Sequence, residues 1–276
     1  MIEKKKVLFV TQEMEPYTAI SEISAVVRRL PEYVQGKGME IRVLMPRFGT
    51  INERRHRLHE VVRLSGMNII VDDDDFPLII KVASLPGARM QVYFLDNDDF
   101  FKRKSVFTDD EGRPFEDNAD RMVFFCKGVI ETVRKFGWPP DIIHCHGWMT
   151  SLIPLYVREA YRTEPLFQHS KIIYSVYDEM MEGTFPEGFL AKASINNLEE
   201  EDLRAYMNGQ GVNLHQGAVH YSDALIRGSN SLPSPIEKIV VASGKPVLDF
   251  QDEDELLPTY LDFYHSLLEE EETVGH

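Results

Sequence analysis

The sequence predicts an α/β protein built on a doubly wound, mostly parallel sheet. Short apolar runs rich in β-branched residues alternate along the chain with segments whose apolar residues recur at helical spacing. The 276 residues are 43% hydrophobic and 27% charged, which is ordinary globular usage. No internal repeat or low-complexity linker interrupts the pattern, so one domain is the better count.

The first unit is a strand, a helix and a second strand. Apolar runs at Lys6–Val10 and Ile41–Met45 have the length and composition of buried strands. Such a βαβ unit nearly always crosses over right-handed and gives parallel strands. Pro31 predicts a kink or an early break in the helix. One face of this helix is formed by Ile23, Val26, Val27, Leu30 and Val34.

The later elements continue the alternation. A Pro86-Gly87 turn separates two runs, 78–83 and 90–95, which are typical of a hairpin or an edge pair. Helices are expected at about 121–136, 150–161 and 213–221, and strands at 141–145, 171–176 and 224–227. A C-terminal helix over 258–268 and an acidic tail at 269–272 follow, so we divide the chain into 1–232 and a C-terminal extension, 233–276.

The charge balance excludes whole classes of function. The chain has 30 Lys and Arg against 45 Asp and Glu, a net charge of −15, which repels nucleic acid and anionic membranes. No apolar stretch approaches the ~18 residues of a membrane span, and the N-terminal apolar run is too brief for a signal peptide. The two cysteines, Cys126 and Cys145, are expected to be buried thiols of a cytoplasmic protein.

Ligands of open α/β sheets bind beyond the carboxyl ends of the strands. The loops that follow the predicted parallel strands cover residues 11–20, 46–49, 146–148 and 177–179. We therefore expect one cleft that contains side chains from all four loops. The residues concerned are Glu13, Arg47, His146 and Tyr177.

The run His144-Cys145-His146-Gly147-Trp148 is similar to the His-x-His-Asp-Trp motif of bacterial glycogen and starch synthases. From about Lys5 to Leu232 the chain resembles the N-terminal domain of these retaining glucosyltransferases, which have two facing Rossmann-like domains of the glycosyltransferase-B type. The resemblance implies that His146 is catalytic, against the donor glucose, and that Trp148 binds substrate. Gly147 replaces the family's aspartate and removes a carboxylate that could orient the imidazole.

The first loop departs from the family where the family binds the donor diphosphate. Glu13, Pro16 and Tyr17 match, and the resemblance implies that Glu13 and Tyr17 bind substrate. The Lys-x-Gly-Gly-Leu motif is changed, with Ala19 at the lysine and Ser21-Glu22 at the glycines. A side chain and a negative charge there oppose an anion, so we interpret Ser21 and Glu22 as an ordinary helix start.

Three further segments also resemble the family. Arg47 follows an apolar strand that ends in proline, as in the family. Two interpretations stay open: Arg47 binds a phosphate or a glucan hydroxyl, or it forms an ion pair, which is commoner for an arginine after a strand. Tyr177 and Asp178 stand where the family has His and Asn, and Tyr177 is assigned to substrate binding. Gly183–Pro186 resembles a family loop, and Gln216 replaces a family lysine.

Other chemistry is less well supported. His144 and His146 share a strand face, but no nearby run supplies the other ligands of a metal. The acidic run at 72–75 lacks the spacing and the glycine of a calcium loop, and the one at 199–202 is typical of an exposed helix start. Ser229 has no nucleophile-elbow setting. We therefore assign no metal and no cofactor.

Two hypotheses remain open. In the first, the chain is a glycogen or starch synthase-like glucosyltransferase half that needs a second domain or a protein partner, because few residues remain after Ser231 and they lack a phosphate clamp. In the second, it is a non-catalytic glucan-binding or regulatory relic in glycogen metabolism. Both predict a glucan or malto-oligosaccharide ligand, with ADP-glucose bound weakly, and fold alone does not decide between them.

Overall fold

The computed structural model describes residues 4–179, 185, 188–196, 198–209 and 211–274, of which 270–274 are described as backbone only. The strands are β1 (Lys6–Thr11), β2 (Glu40–Pro46), β3 (His59–Glu60), β4 (Met67–Val71), β5 (Asp74–Ser84), β6 (Gln91–Asp96), β7 (Ile142–His146), β8 (Lys171–Val176), β9 (Met207–Asn208), β10 (Gly211–Val212), β11 (Ala224–Arg227) and β12 (Val247–Leu248). The helices are α1 (Ile23–Gly36), α2 (Glu53–His56), α3 (Asp98–Phe101), α4 (Asn118–Phe136), α5 (Ile153–Leu155), α6 (Phe189–Ala193), α7 (Glu200–Leu203), α8 (Leu214–Tyr221), α9 (Ser234–Ala242) and α10 (Glu253–Val274).

Ten strands form one sheet in the order β12-β11-β8-β7-β1-β2-β6-β5-β3, with β4 paired to β5. From β12 to β6 all neighbours are parallel, and β5 runs antiparallel to β6. The strand order reverses direction at β1, which is the property of a doubly wound sheet. The predicted α/β fold class is therefore confirmed.

Helices cover both faces of the sheet. Helix α1 packs against α10, while α4, α5, α8 and α9 contact one another in succession. Because βαβ crossovers are right-handed, connections that lead in opposite directions from β1 place their helices on opposite faces. The parallel strands are consequently buried on both sides, as their continuous apolar runs predict.

Pro31 does not break α1, which continues to Gly36. Its inner residues Ile23, Val27 and Val34 are fully buried, and burial of each such side chain contributes roughly 1.5–3 kcal/mol. This packing outweighs the backbone hydrogen bond that proline removes, so the early break was wrong, whereas the alternative expectation of a kink stays a prediction.

Several segments differ from the expected elements. The helix expected at 150–161 consists of a 3₁₀ turn (Trp148–Thr150), α5 and a π-helical turn (Tyr156–Ala160). The acidic run at 72–75 is the turn and first residues of the β4–β5 hairpin. The expected division at residue 232 falls between β11 and α9, and β12 extends the same sheet.

Candidate functional site

The loops that follow β8, β7, β1 and β2 lie side by side at one edge of the sheet, because these four strands are consecutive in the sheet order. His146 is paired in register with Thr11 of β1 and with Ser175 of β8. The ends of the three central strands are thus level with one another. This arrangement brings His146, Tyr177 and the backbone next to Glu13 together.

His146 is fully buried. Its Nδ1 atom lies 2.9 Å from the Tyr177 hydroxyl, and its Nε2 has no hydrogen-bond partner among the described residues. Burial lowers the pKa of His146 to about 3, so the imidazole is neutral at physiological pH. The Tyr177 ring packs on Gly228, where a Cβ would collide with it. Tyr177 therefore covers His146 on the side of the β8 and β11 loops.

His144 lies below His146 on the same sheet face, with 3.8 Å between the ring centroids. Its Nδ1 is 2.6 Å from the Tyr264 hydroxyl of α10, and its Nε2 is 2.7 Å from Ser175 Oγ. Both ring nitrogens are thus engaged by hydroxyl groups. Among the described residues, no group of three or more His, Cys, Asp and Glu side chains is arranged to hold a metal ion.

Glu13 organises the loop that leads into α1. Its Oε1 accepts hydrogen bonds from the amides of Ile20 (3.2 Å) and Ser21 (2.7 Å) and from Ser21 Oγ (3.0 Å). Burial raises the pKa of this carboxyl group. The exposed Glu22 follows at the start of α1, where its carboxylate accepts a 2.5 Å hydrogen bond from Ser229 Oγ. Two carboxylates therefore lie at the loop and helix start that the resemblance assigns to a diphosphate.

Tyr17 and Trp148 are almost fully buried by aromatic neighbours. Tyr17 packs edge-on against Phe94 (4.9 Å) and His56 (5.0 Å), and its hydroxyl is 3.4 Å from the Ser84 carbonyl. The Trp148 ring lies 5.0 Å from Phe107. In this arrangement neither ring offers a free face to a sugar.

Arg47 is held in a buried ion-pair cluster. Its Nη2 lies 2.7 Å from Asp96 Oδ1, and its Nε lies 3.4 Å from Glu53 Oε1. Lys81 joins the same two carboxylates. The structure thus gives Arg47 the ion-pair contacts that sequence reasoning named as the commoner alternative, and it does not bring Arg47 into contact with His146.

The remaining motif residues have structural surroundings. Gln216 Nε2 donates to the carbonyls of Ala205 and Met207, both at 3.0 Å, so it braces the turn before β9. The Gly183–Pro186 motif lies outside the described residues except for Phe185. Cys126 and Cys145 are buried free thiols, as expected.

Sequence reasoning missed Gln12 and Glu179. Glu179 accepts hydrogen bonds from the backbone amide of Trp148 (2.6 Å) and from Gln12 Nε2 (2.7 Å). Gly147 was the available signal. Where the family has an aspartate, glycine leaves space above the turn, and the amides at the start of the turn then need acceptors from other residues. The sequence contained that signal but not the identity of the neighbour.

Comparison with known proteins assigns most of this chain to one family. The starch synthase catalytic domain family matches residues 6–239. Glycogen synthase from Chlorobium limicola is 37% identical over 217 residues, which cover 78% of this chain and 44% of the relative. Glycogen synthase from Chlorobium phaeobacteroides is 39% identical over 234 residues, which cover 84% of this chain and 47% of the relative.

Among solved structures, the catalytic domain of starch synthase IV from Arabidopsis thaliana superposes with a TM-score of 0.76 at 19% identity, over 91% of this chain and 52% of that one. This likeness supports the fold. The chain spans less than half the length of the two glycogen synthases. It belongs to the starch synthase catalytic domain family and corresponds to the N-terminal half of its glycogen synthase relatives.

Proposed function

We propose that this chain is the glucan-binding half of a glycogen synthase-type glucosyltransferase, and that transfer needs groups from a second domain or a partner chain. The observation that carries the proposal is the family match over residues 6–239 combined with coverage of less than half of each relative. His146 and Trp148 retain the family's histidine and tryptophan. In this proposal His146 faces the transferred glucose once the halves assemble.

The charges at the start of α1 support a preference for a neutral ligand. The starch synthase IV structure contains ADP and acarbose. In this chain Glu13, Glu22 and Glu179 lie close enough for the first two carboxylates to raise the pKa of the third. A diphosphate at the start of α1 would meet repulsion from the exposed Glu22 carboxylate, whereas an uncharged glucan would not. We therefore propose that malto-oligosaccharide binds more tightly than ADP-glucose.

A second candidate function is a non-catalytic, glucan-binding or regulatory role in glycogen metabolism. The complete burial of His146 beneath Tyr177 favours it, since a catalytic group must reach its substrate. Both candidates share the glucan ligand. They differ in whether a second half restores transfer. The free cysteines Cys126 and Cys145 support a reducing compartment, and we propose the cytoplasm.

Equilibrium titration and a transfer assay together test the proposal. Calorimetry should detect maltotetraose binding and weaker ADP-glucose binding to the chain alone; tighter ADP-glucose binding would contradict it. The transfer assay adds the separately expressed C-terminal half of the Chlorobium limicola enzyme. We expect no glucosyl transfer without this half and transfer with it, abolished by His146→Ala. Glucan binding without any transfer would favour the second candidate.

A further inference from the structure

Gln12 occupies the space above Gly147. Gly147 has a φ of +91°, a conformation that side-chain-bearing residues rarely adopt, and a Cβ there would collide with the Gln12 side chain. Gln12 Oε1 also accepts a 3.3 Å hydrogen bond from the Met149 amide. The 3₁₀ turn that starts at Trp148 has no side-chain cap from its own N-terminal residue, Gly147. Gln12 supplies the acceptor for the Met149 amide of this turn.

Glu179 supplies the missing carboxylate from another loop. One of its oxygens accepts the Trp148 amide and the other accepts Gln12 Nε2, so a single side chain joins the loops after β1, β7 and β8. The Glu179 carbonyl is held in turn by His215 Nε2 at 3.1 Å. Only one residue separates Glu179 from Tyr177, whose hydroxyl bonds His146. The short backbone segment from Tyr177 to Glu179 therefore connects the Glu179 contacts with the side chain that covers His146.

The groups that face Glu179 make its charge costly. Glu13 and Glu22 add negative charge from the β1 loop and from α1. His215 is uncharged because burial lowers its pKa, and His146 is neutral for the same reason. The hydroxyls of Tyr174 and Tyr177 stay protonated because burial raises their pKa values. Burial and the two carboxylates raise the pKa of Glu179 to about 7.

We propose that Glu179 is a positioning residue: it joins the loops after β1, β7 and β8 and so holds Tyr177 over His146. In the proposed function a glucan must reach His146 past Tyr177, so any role of Glu179 in ligand entry rests on that proposed function. The contact itself is a property of the free chain. It is thus open to measurement without any ligand.

The direction of the pH effect follows from linkage. In its buried position Glu179 holds its proton up to about pH 7, although the hydrogen bonds from Trp148 and Gln12 favour the ionised carboxylate; exposed to water, it would lose that proton near its ordinary value of 4.5. Raising the pH therefore favours the state in which the contacts are broken. The interval from 4.5 to about 7 limits this effect to about 300-fold. Access to His146 should increase from pH 5.5 to pH 8.

Nuclear magnetic resonance of the full chain tests the contact. The Trp148 backbone amide and the His146 ring nitrogens should titrate together with a midpoint near 7. Glu179→Gln should abolish both titrations. Glu22→Gln should lower the midpoint, because it removes a charge that disfavours ionised Glu179. Asp178→Asn, which removes the adjacent exposed carboxylate, is the matched control and should leave the midpoint unchanged.

The outcomes separate the inference from the proposed function. A Trp148 amide that does not titrate between pH 5 and 8.5 in the unmodified chain would overturn the inference, even if Glu179→Gln failed to fold. If the Trp148 amide titrated and the His146 ring nitrogens did not, Glu179 would only cap the turn at Trp148. That result would also overturn the inference. Titration of both, together with no maltotetraose binding at any pH, would sustain the positioning role and reject glucan as the ligand.

Discussion

At the scale of single residues, Gly147 is the most constrained position of the candidate site. Its positive φ and the overlying Gln12 side chain both exclude a Cβ. A strained backbone costs about 1–3 kcal/mol and overpacking about the same. We expect Gly147→Ala to lower the free energy of unfolding by about 2–4 kcal/mol in urea titration. Gly36→Ala, where the structure leaves open space for a Cβ, should have little effect; equal losses would refute the argument.

His146 predicts a pH dependence of stability. Its folded-state pKa of about 3 lies below the ordinary 6.5, so between these values the unfolded chain binds a proton that the folded chain does not. The contribution of neutral His146 to the free energy of unfolding is fully present above pH 6.5. It falls by about 1.4 kcal/mol for each pH unit of acidification below that value. His146→Gln should reduce the slope of unfolding free energy between pH 6 and 5 by about that amount.

The control for this measurement is His265→Gln, at an exposed position of α10. It should leave the slope unchanged. If both variants gave the slope of the unmodified chain, the neutral, buried imidazole of His146 would not be the source of the acid sensitivity.

How far the sequence predicted the site depended on which contacts were local. The strand order places the loops of Glu13, Arg47, His146 and Tyr177 at one end of the sheet, but Arg47 pairs with Asp96 and Glu53 instead of joining His146, and a shared ligand cleft stays a prediction. Burial could not be predicted, because Tyr177 is fixed by Gly228 and His144 by Tyr264, which lie far along the chain. The catalytic and substrate-binding assignments of His146, Glu13, Tyr17, Arg47, Trp148 and Tyr177 stay predictions.

At the scale of elements, α10 is attached to the sheet beneath the candidate site. Tyr264 Oη bonds His144, its ring lies 6.4 Å from Phe9, and Arg29 of α1 pairs with Glu253. The C-terminal helix is thus part of the packing that orients both histidines. Its polar link is buried, so loss of one partner leaves the other unsatisfied.

Tyr264→Phe should therefore lower the free energy of unfolding by about 1–3 kcal/mol, because the buried Nδ1 atom of His144 loses the hydroxyl group that it contacts. Chemical denaturation measures the loss. Tyr33→Phe, at a half-exposed ring on α1 whose hydroxyl can bond water, is the matched control and should change stability by less than ~0.5 kcal/mol. Indistinguishable variants would count against a structural role for the Tyr264 hydroxyl.

Buried apolar strands and the long periodic helix were the predictable elements. The strands at 171–176 and 224–227 lie where they were expected, and α4 ends at Phe136 with Gly137 as its C-cap. The sequence did not reveal β12, because two residues carry no alternation. Helix α9 was also missed, because a Ser-Pro pair marks turns as well as helix N-termini and so does not identify a helix by itself.

At the scale of the whole molecule, the net charge of −15 adds to the local carboxylates of the candidate site. Salt screens this field over about 10 Å at 0.1 M. Raising ionic strength from ~20 to ~200 mM should strengthen ADP-glucose binding and leave maltotetraose binding nearly constant. Calorimetric titration at both salt concentrations measures this. Weaker ADP-glucose binding at high salt would reveal a cationic diphosphate site and contradict the repulsion argument.

The order of the strands also bears on self-association. The edge strand β12 has two residues, so few backbone N–H and C=O groups are unpaired at that edge of the sheet. At the far side, Lys127 Nζ donates to the Ile70 carbonyl of β4 at 2.9 Å, which engages part of that strand's backbone. Short or engaged edges give a neighbouring molecule little to pair with. Among the described residues, the parallel core of seven strands therefore offers no long unpaired strand to a neighbouring molecule, because β12 is short and β6 is paired with β5.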